Sequence, residues 1–104
     1  MKPALEARRV AITGVGVLAA CGIGRDAFWA GLLAPQPTAE RRITDFSPET
    51  AFDNPKEAKR TDRFAQIALA AAAEALDQAG DVGVDPARGG VLLGTGVGGL
   101  AMGN

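Results

Sequence analysis

Two short apolar runs, each opening into a Gly-x-Gly loop, constrain the fold of this chain more than any other feature. Residues 9–16 read Arg-Val-Ala-Ile-Thr-Gly-Val-Gly, and residues 91–99 read Val-Leu-Leu-Gly-Thr-Gly-Val-Gly-Gly. Neither run alternates apolar with polar side chains, so residues 9–13 and 91–93 are expected to be strands of a sheet covered on both faces. Glycine loops at the ends of such strands usually lead up to chemistry. Only five residues follow Gly99, and the sequence contains no histidine. The expectation is the opening part of a larger α/β enzyme.

Between the runs, two helices are expected. Asp26 is placed to cap a short helix over residues 27–34, with Phe28, Trp29, Leu32 and Leu33 as its apolar face and Pro35 and Pro37 ending it. Gly31 costs that helix about 1 kcal/mol relative to alanine, so packing must hold it in place. The second helix is the stronger expectation. Thr61 or Asp62 caps it and Gly80 closes it, while Phe64, Ile67, Ala68, Ala71, Ala72, Ala75, Leu76 and Ala79 follow helical spacing. So much alanine lets the helix lie very close to a neighbour and calls for cover from more than one side. Mainly Gln66, Glu74 and Asp77 are left for water. Residues 35–60 read as a surface loop insertion with at most short pieces of structure, and residues 81–90 as a turn-rich connection in which Asp85-Pro86 starts a turn.

Eleven basic against twelve acidic residues give no global attraction to nucleic acid or to an anionic membrane. No apolar run is long enough to span a bilayer. The single cysteine, Cys21, excludes an internal disulfide and fits a reducing compartment. Two other readings stay open. Leu18-Ala19-Ala20-Cys21-Gly22 after a basic start has the pattern of a lipoprotein cleavage box, in which Cys21 would be lipidated, although Thr13, Gly14 and Gly16 weaken the apolar stretch it needs. Gly14-x-Gly16-x-x-Ala19 matches a loose dinucleotide motif, but Cys21, Gly22 and Gly24 interrupt the helix that should follow, and no second strand ends in an acidic residue at the required distance. The loop at residues 94–99 lacks a Lys-Ser/Thr pair and is not a P-loop.

Four blocks resemble, in order, the N-terminal part of the β-ketoacyl-acyl carrier protein synthases: Arg9-Val10-Ala11-Ile12-Thr13-Gly14-Val15-Gly16-Val17, Phe28-Trp29-Ala30-Gly31-Leu32-Leu33-Ala34, Lys59-Arg60-Thr61-Asp62-Arg63-Phe64-Ala65-Gln66 with the alanine helix behind it, and Gly90-Val91-Leu92-Leu93-Gly94-Thr95-Gly96-Val97-Gly98-Gly99. The chain departs from the family in a shortened stretch at residues 35–58 and in Cys21, which stands where members usually carry an aliphatic residue.

The resemblance implies an α/β chain, the N-terminal part of a thiolase-like layered fold with a mixed sheet and packed helices, incomplete over residues 1–104. It implies an acyltransferase of fatty acid or polyketide biosynthesis that condenses acyl and malonyl thioesters by decarboxylative Claisen chemistry, without a cofactor or metal. The partners implied are an acyl carrier protein bearing a phosphopantetheine thioester and, for the complete enzyme, a second subunit. Neither nucleic acid nor membrane is implied, and the compartment is the cytoplasm. The family's thiolate nucleophile and two histidines have no counterpart in this chain, so the chain by itself is expected to be inactive. Cys21 matches a small apolar filler instead. Val97 matches a position lining the acyl pocket. Lys56, Lys59 and Arg60 match basic positions at which the carrier protein docks, and one helical turn would bring all three to one face. The same resemblance predicts marginal stability. Val10, Ala11, Ile12, Val91, Leu92 and Leu93 would lack their cover, a deficit of about 10 kcal/mol at roughly 1.5–3 kcal/mol for each large side chain.

Overall fold

The computed structural model describes residues 8–36, 41–48 and 52–96. Two short antiparallel strands, β1 (Leu18–Ala19) and β2 (Gly22–Ile23), are followed by helices α1 (Arg25–Leu33), α2 (Pro55–Lys59) and α3 (Arg63–Ala79), with a 3-10 turn at Pro86–Arg88. Leu18 pairs with Ile23 and Ala19 with Gly22, which leaves Ala20 and Cys21 at the hairpin tip.

The long helix forms where the periodicity places it. Alanine, leucine and glutamine favour helix, Asp62 supplies the extended residue before the first turn, and Gly80 ends the run at a φ of 64°. The Gly80 N–H closes the last turn on the Leu76 carbonyl at 3.0 Å. The close neighbour expected of the alanine face is backbone rather than another helix. A Cβ on Gly14 would overlap the Ala75 carbonyl oxygen, and one on Gly16 would overlap that of Ala71. The glycines therefore let residues 14–17 lie directly on α3.

Two expectations about α3 are corrected. Gln66 does not face water: it is 8% exposed and, with Ala58, forms the buried centre of the described residues. Its Nε2 donates to the carbonyls of Ala58 (2.7 Å) and Thr61 (3.0 Å), which satisfies the amide and ties α2 to α3. Glu74 is half-buried and fully engaged, leaving Asp77 as the exposed member of the three. Nor is the helix covered on several sides, since Leu69, Ala72, Ala73 and Leu76 form an exposed stripe along it.

Helix α1 begins earlier than a cap at Asp26 predicts. Gly24 is the cap residue, with no side-chain acceptor of its own, and Asp26 lies in the first turn. The helix stops at Ala34, which is extended because the next residue is Pro35. Gly31 has the packing reason anticipated for it: a Cβ there would overlap the carbonyl oxygen of Cys21 at the hairpin tip. Trp29, Leu32 and Leu33 are exposed, so little of the expected apolar face of α1 is covered.

The two strands expected from the apolar runs are not paired. Residues 9–13 and 91–93 belong to no sheet, and the sheet that is present is a two-stranded antiparallel hairpin rather than a mixed one. Val10 is 91% exposed, Ile12 83%, Val91 97% and Leu92 100%. The physical reason is supply: a strand apolar on both faces needs neighbours on each side, and the described residues contain none. The accessible surface of 8723 Å² compares with about 5,500 Å² for a compact chain of this size.

Among the described residues, the loop insertion contains the short helix α2. Asn54 starts α2 by accepting the Lys56 N–H at 3.0 Å, and Pro55 occupies the first turn, where its missing N–H costs nothing. The 81–90 connection carries the turn read from Asp85-Pro86, with the Asp85 side chain accepting the Ala87 N–H at 3.0 Å.

Candidate functional site

The densest polar arrangement sits where the hairpin meets α3. Ala71, Glu74, Ala75 and Gln78 recur at helical spacing and so share one stripe. The alanines admit the glycine backbone while the two polar residues bond to it. Gln78 Oε1 accepts the Val15 N–H at 2.8 Å. Glu74 Oε1 accepts the Val17 N–H at 2.9 Å, and its Oε2 accepts the Arg25 N–H at 2.8 Å. One carboxylate thus takes both ends of the hairpin, and the second of these bonds caps α1 from another helix. Arg25 completes the arrangement, since its Nη1 lies 3.5 Å from Glu74 Oε2 and donates to the Val15 carbonyl at 2.7 Å. The Arg25 N–H holds the Glu74 pKa below its ordinary value, the Val17 N–H adds to this and the Arg25 charge adds least, while partial burial opposes them.

The hairpin forms one wall of a cleft of about 430 Å³ lined by Ala19 to Ile23, by Ala27, and by Ile43, Thr44 and Asp45 on the opposite side. That opposite wall is also anchored on α3. Arg63 Nη2 donates to the Ile43 carbonyl at 2.9 Å, and the Arg63 guanidinium lies 5.0 Å from the centre of the Phe46 ring. Cys21 is half-buried at the cleft edge, and its thiol points toward the Phe28 carbonyl at 4.0 Å. No base stands beside it among the described residues.

Of the residues singled out from sequence, Lys56 and Lys59 lie on α2, with Arg60 immediately after it, and all three are exposed. Lys56 and Lys59 are three residues apart on α2, and Arg60 is its C-cap residue. Val97 lies outside the described residues. Sequence reasoning passed over Arg25, Arg63, Glu74 and Gln78. The available signal was the register of Glu74 and Gln78 with Ala71 and Ala75, which puts polar groups on the face reserved for close packing.

Gly14 and Gly16 are turned onto α3, and the chain after them enters the hairpin rather than a helix, so they form no phosphate cradle. Residues 8–17 form no helix, in contrast to what a lipoprotein leader needs. Among the described residues no helix is long and apolar enough to cross a membrane.

The model of the family described as beta-ketoacyl synthase, N-terminal domain, matches residues 34–103. The chain belongs to this family. It is 44% identical over 109 aligned residues to a protein of Streptomyces halstedii named as a polyketide beta-ketoacyl synthase 1, with 88% of this chain and 26% of that protein covered. It is 39% identical to the tetracenomycin polyketide synthase ketoacyl synthase alpha subunit of Streptomyces glaucescens, covering 88% of this chain and 25% of that subunit. It is 36% identical to 3-oxoacyl-[acyl-carrier-protein] synthase 2 of Rhizobium meliloti, covering 89% of this chain and 28% of the relative. The chain therefore spans about a quarter of the length of the beta-ketoacyl synthases it matches. No solved structure matches it.

Proposed function

We propose that these residues are the N-terminal portion of a β-ketoacyl synthase that condenses acyl and malonyl thioesters in polyketide or fatty acid biosynthesis. The observation carrying this reading is the match across 88% of the chain to a polyketide beta-ketoacyl synthase at 44% identity. The contribution of the segment is scaffold. Condensation needs an activated thiolate and preorganised donors at the developing oxyanion; the chain has no histidine, and Cys21 sits at a hairpin tip with no base beside it among the described residues. The exposed segments at residues 9–13 and 91–93 fit strands that are completed by further strands of a thiolase-like layered sheet. The complete enzyme would work in the cytoplasm as a dimer.

Within this reading, Lys56, Lys59 and Arg60 form a docking turn for an acidic acyl carrier protein, and Val97 lines the acyl pocket. A basic turn of this kind mainly speeds and orients encounter. Stopped-flow mixing with an acidic carrier protein tests the docking. Association should slow as salt rises and should slow further in a Lys56→Glu, Lys59→Glu, Arg60→Glu variant; equal rates for both chains would remove the docking role. Reading the transcript past the Asn104 codon tests the function. A continuing frame that encodes a cysteine at a strand-to-helix elbow and two later histidines is expected, and a stop codon there with no second gene supplying those residues would overturn it.

A further inference from the structure

We propose that Glu74 is a charge-dependent positioning residue that clamps the base of the β1–β2 hairpin and thereby sets the hairpin wall of the cleft between residues 19–23 and 43–45. The proposal does not depend on which reaction the family assignment implies.

The clamp follows from where the bonds fall. Val17 and Arg25 stand just before and just after the hairpin, and both donate their N–H groups to the same carboxylate, one to each oxygen. A third bond, from the Gly24 N–H to the Val17 carbonyl at 2.9 Å, joins the two hairpin ends directly. Beyond this base, Ala19 to Ile23 line the cleft. The hairpin strands are two residues each, too short to hold an orientation by their own ladder. The hairpin otherwise packs through β1 on α3 and through β2 on α1, and the first N–H of α1 is itself held by Glu74.

The clamp requires the ionised carboxylate. An ionised group accepts at both oxygens and makes stronger bonds than a neutral one. Protonation or amidation turns one acceptor into a donor that faces the Val17 or Arg25 N–H. The charged group facing Glu74 from α1 is Arg25, and the segment at residues 15–17 contributes none. On α3 itself the next acidic residue, Asp77, is exposed.

The test uses the whole chain and two readouts that helix content alone would not move. Amide hydrogen exchange is followed at Val17, Arg25 and Gly80, and alkylation of Cys21 by iodoacetamide is timed at fixed pH. Cys21 lines the cleft and is the single cysteine of the chain, so it reports directly on the wall. Glu74→Gln should speed exchange at Val17 and Arg25 about tenfold, equivalent to losing one charge-assisted bond at each. The Gly80 amide should be unchanged. Cys21 alkylation, scaled to the urea-unfolded chain, should rise about two- to threefold as access improves. Asp77→Asn should alter none of these. Glu74→Ala is the second variant and should reproduce the pattern. Unchanged Cys21 alkylation in both Glu74 variants would overturn the proposal, as would equal loss of protection at Gly80, or wild-type Val17 and Arg25 amides that exchange as in an unfolded peptide.

Discussion

Arg63 and Glu74 stand on the same helix and hold opposite walls of one cleft, Arg63 through the Ile43 carbonyl and Glu74 through the N–H groups of Val17 and Arg25. Helix α3 is therefore tied to both segments that line the cleft. The Arg63 end combines one hydrogen bond with a cation–π contact to Phe46, together about 1–2 kcal/mol. Arg63→Ala should release the segment at residues 41–48 and accelerate tryptic cleavage after Arg41 and Arg42 about tenfold. Arg63→Lys keeps the charge but not the planar fork and should fall between the two. Cleavage rates identical in all three chains would show that Arg63 does not hold this wall.

Glu74 carries a pH dependence whose sign follows from its depressed pKa. A carboxylate with a lower pKa in the folded chain than in the unfolded one contributes stability that is present above the unfolded value and lost as pH falls through the folded value. The unfolded reference here is 4.5. Protection at Val17 and Arg25 should thus be constant from neutral pH down to the carboxylate range and should fall below it. In Glu74→Gln the same profile should be flat. Protection lost well above the carboxylate range in the wild-type chain would contradict the assignment of the clamp to Glu74.

The contact between the glycine segment and α3 sorts the glycines into two groups. A methyl on Gly14 or Gly16 would strike the backbone of Ala75 or Ala71, which cannot swing aside as a side chain can. Gly14→Ala and Gly16→Ala should each cost about 1–3 kcal/mol of the attachment, the usual penalty of overpacking. Exchange at Val15 and Val17 would report it. Gly90→Ala and Gly94→Ala meet nothing within 4 Å and should leave those amides as they are. Equal effects in both groups would mean that the segment does not lie on the helix.

What the sequence revealed divides along a physical line. Helix α3, its Gly80 stop, the Pro35 limit of α1 and the Asp85-Pro86 turn were legible because each is encoded by residues close to one another in the chain. The alanine face announced a close neighbour, but not that the neighbour was the backbone of Gly14 and Gly16, since a small residue fits a helix, a strand or a loop equally well. Glu74 and Gln66 were misread as solvated because their partners are backbone groups. Residue type does not advertise a backbone N–H at Val17 or a carbonyl at Ala58. The strands expected at residues 9–13 and 91–93 were read from apolarity alone, and apolarity states a demand for neighbours without supplying them.

That unmet demand yields a final prediction. Val10, Ile12, Val91 and Leu92 are almost fully exposed, and Trp29, Leu33 and Leu76 are each more than 60% exposed. Exposed apolar surface of this kind binds hydrophobic dyes and promotes association, and a net charge of −1 provides little repulsion between copies. Among the described residues only Ala58 and Gln66 are buried, so these residues share no core that would make unfolding all-or-none. The chain should bind anilinonaphthalene sulfonate, elute from a sizing column earlier as its concentration rises, and lose helical signal over a broad temperature range. Val91→Thr combined with Leu92→Lys should reduce dye binding and association while leaving the helical signal of α3 in place, because those residues touch no helix. A sharp, cooperative melt of a dilute, monomeric wild-type chain that excludes the dye would show that the apolar runs find their cover within these residues.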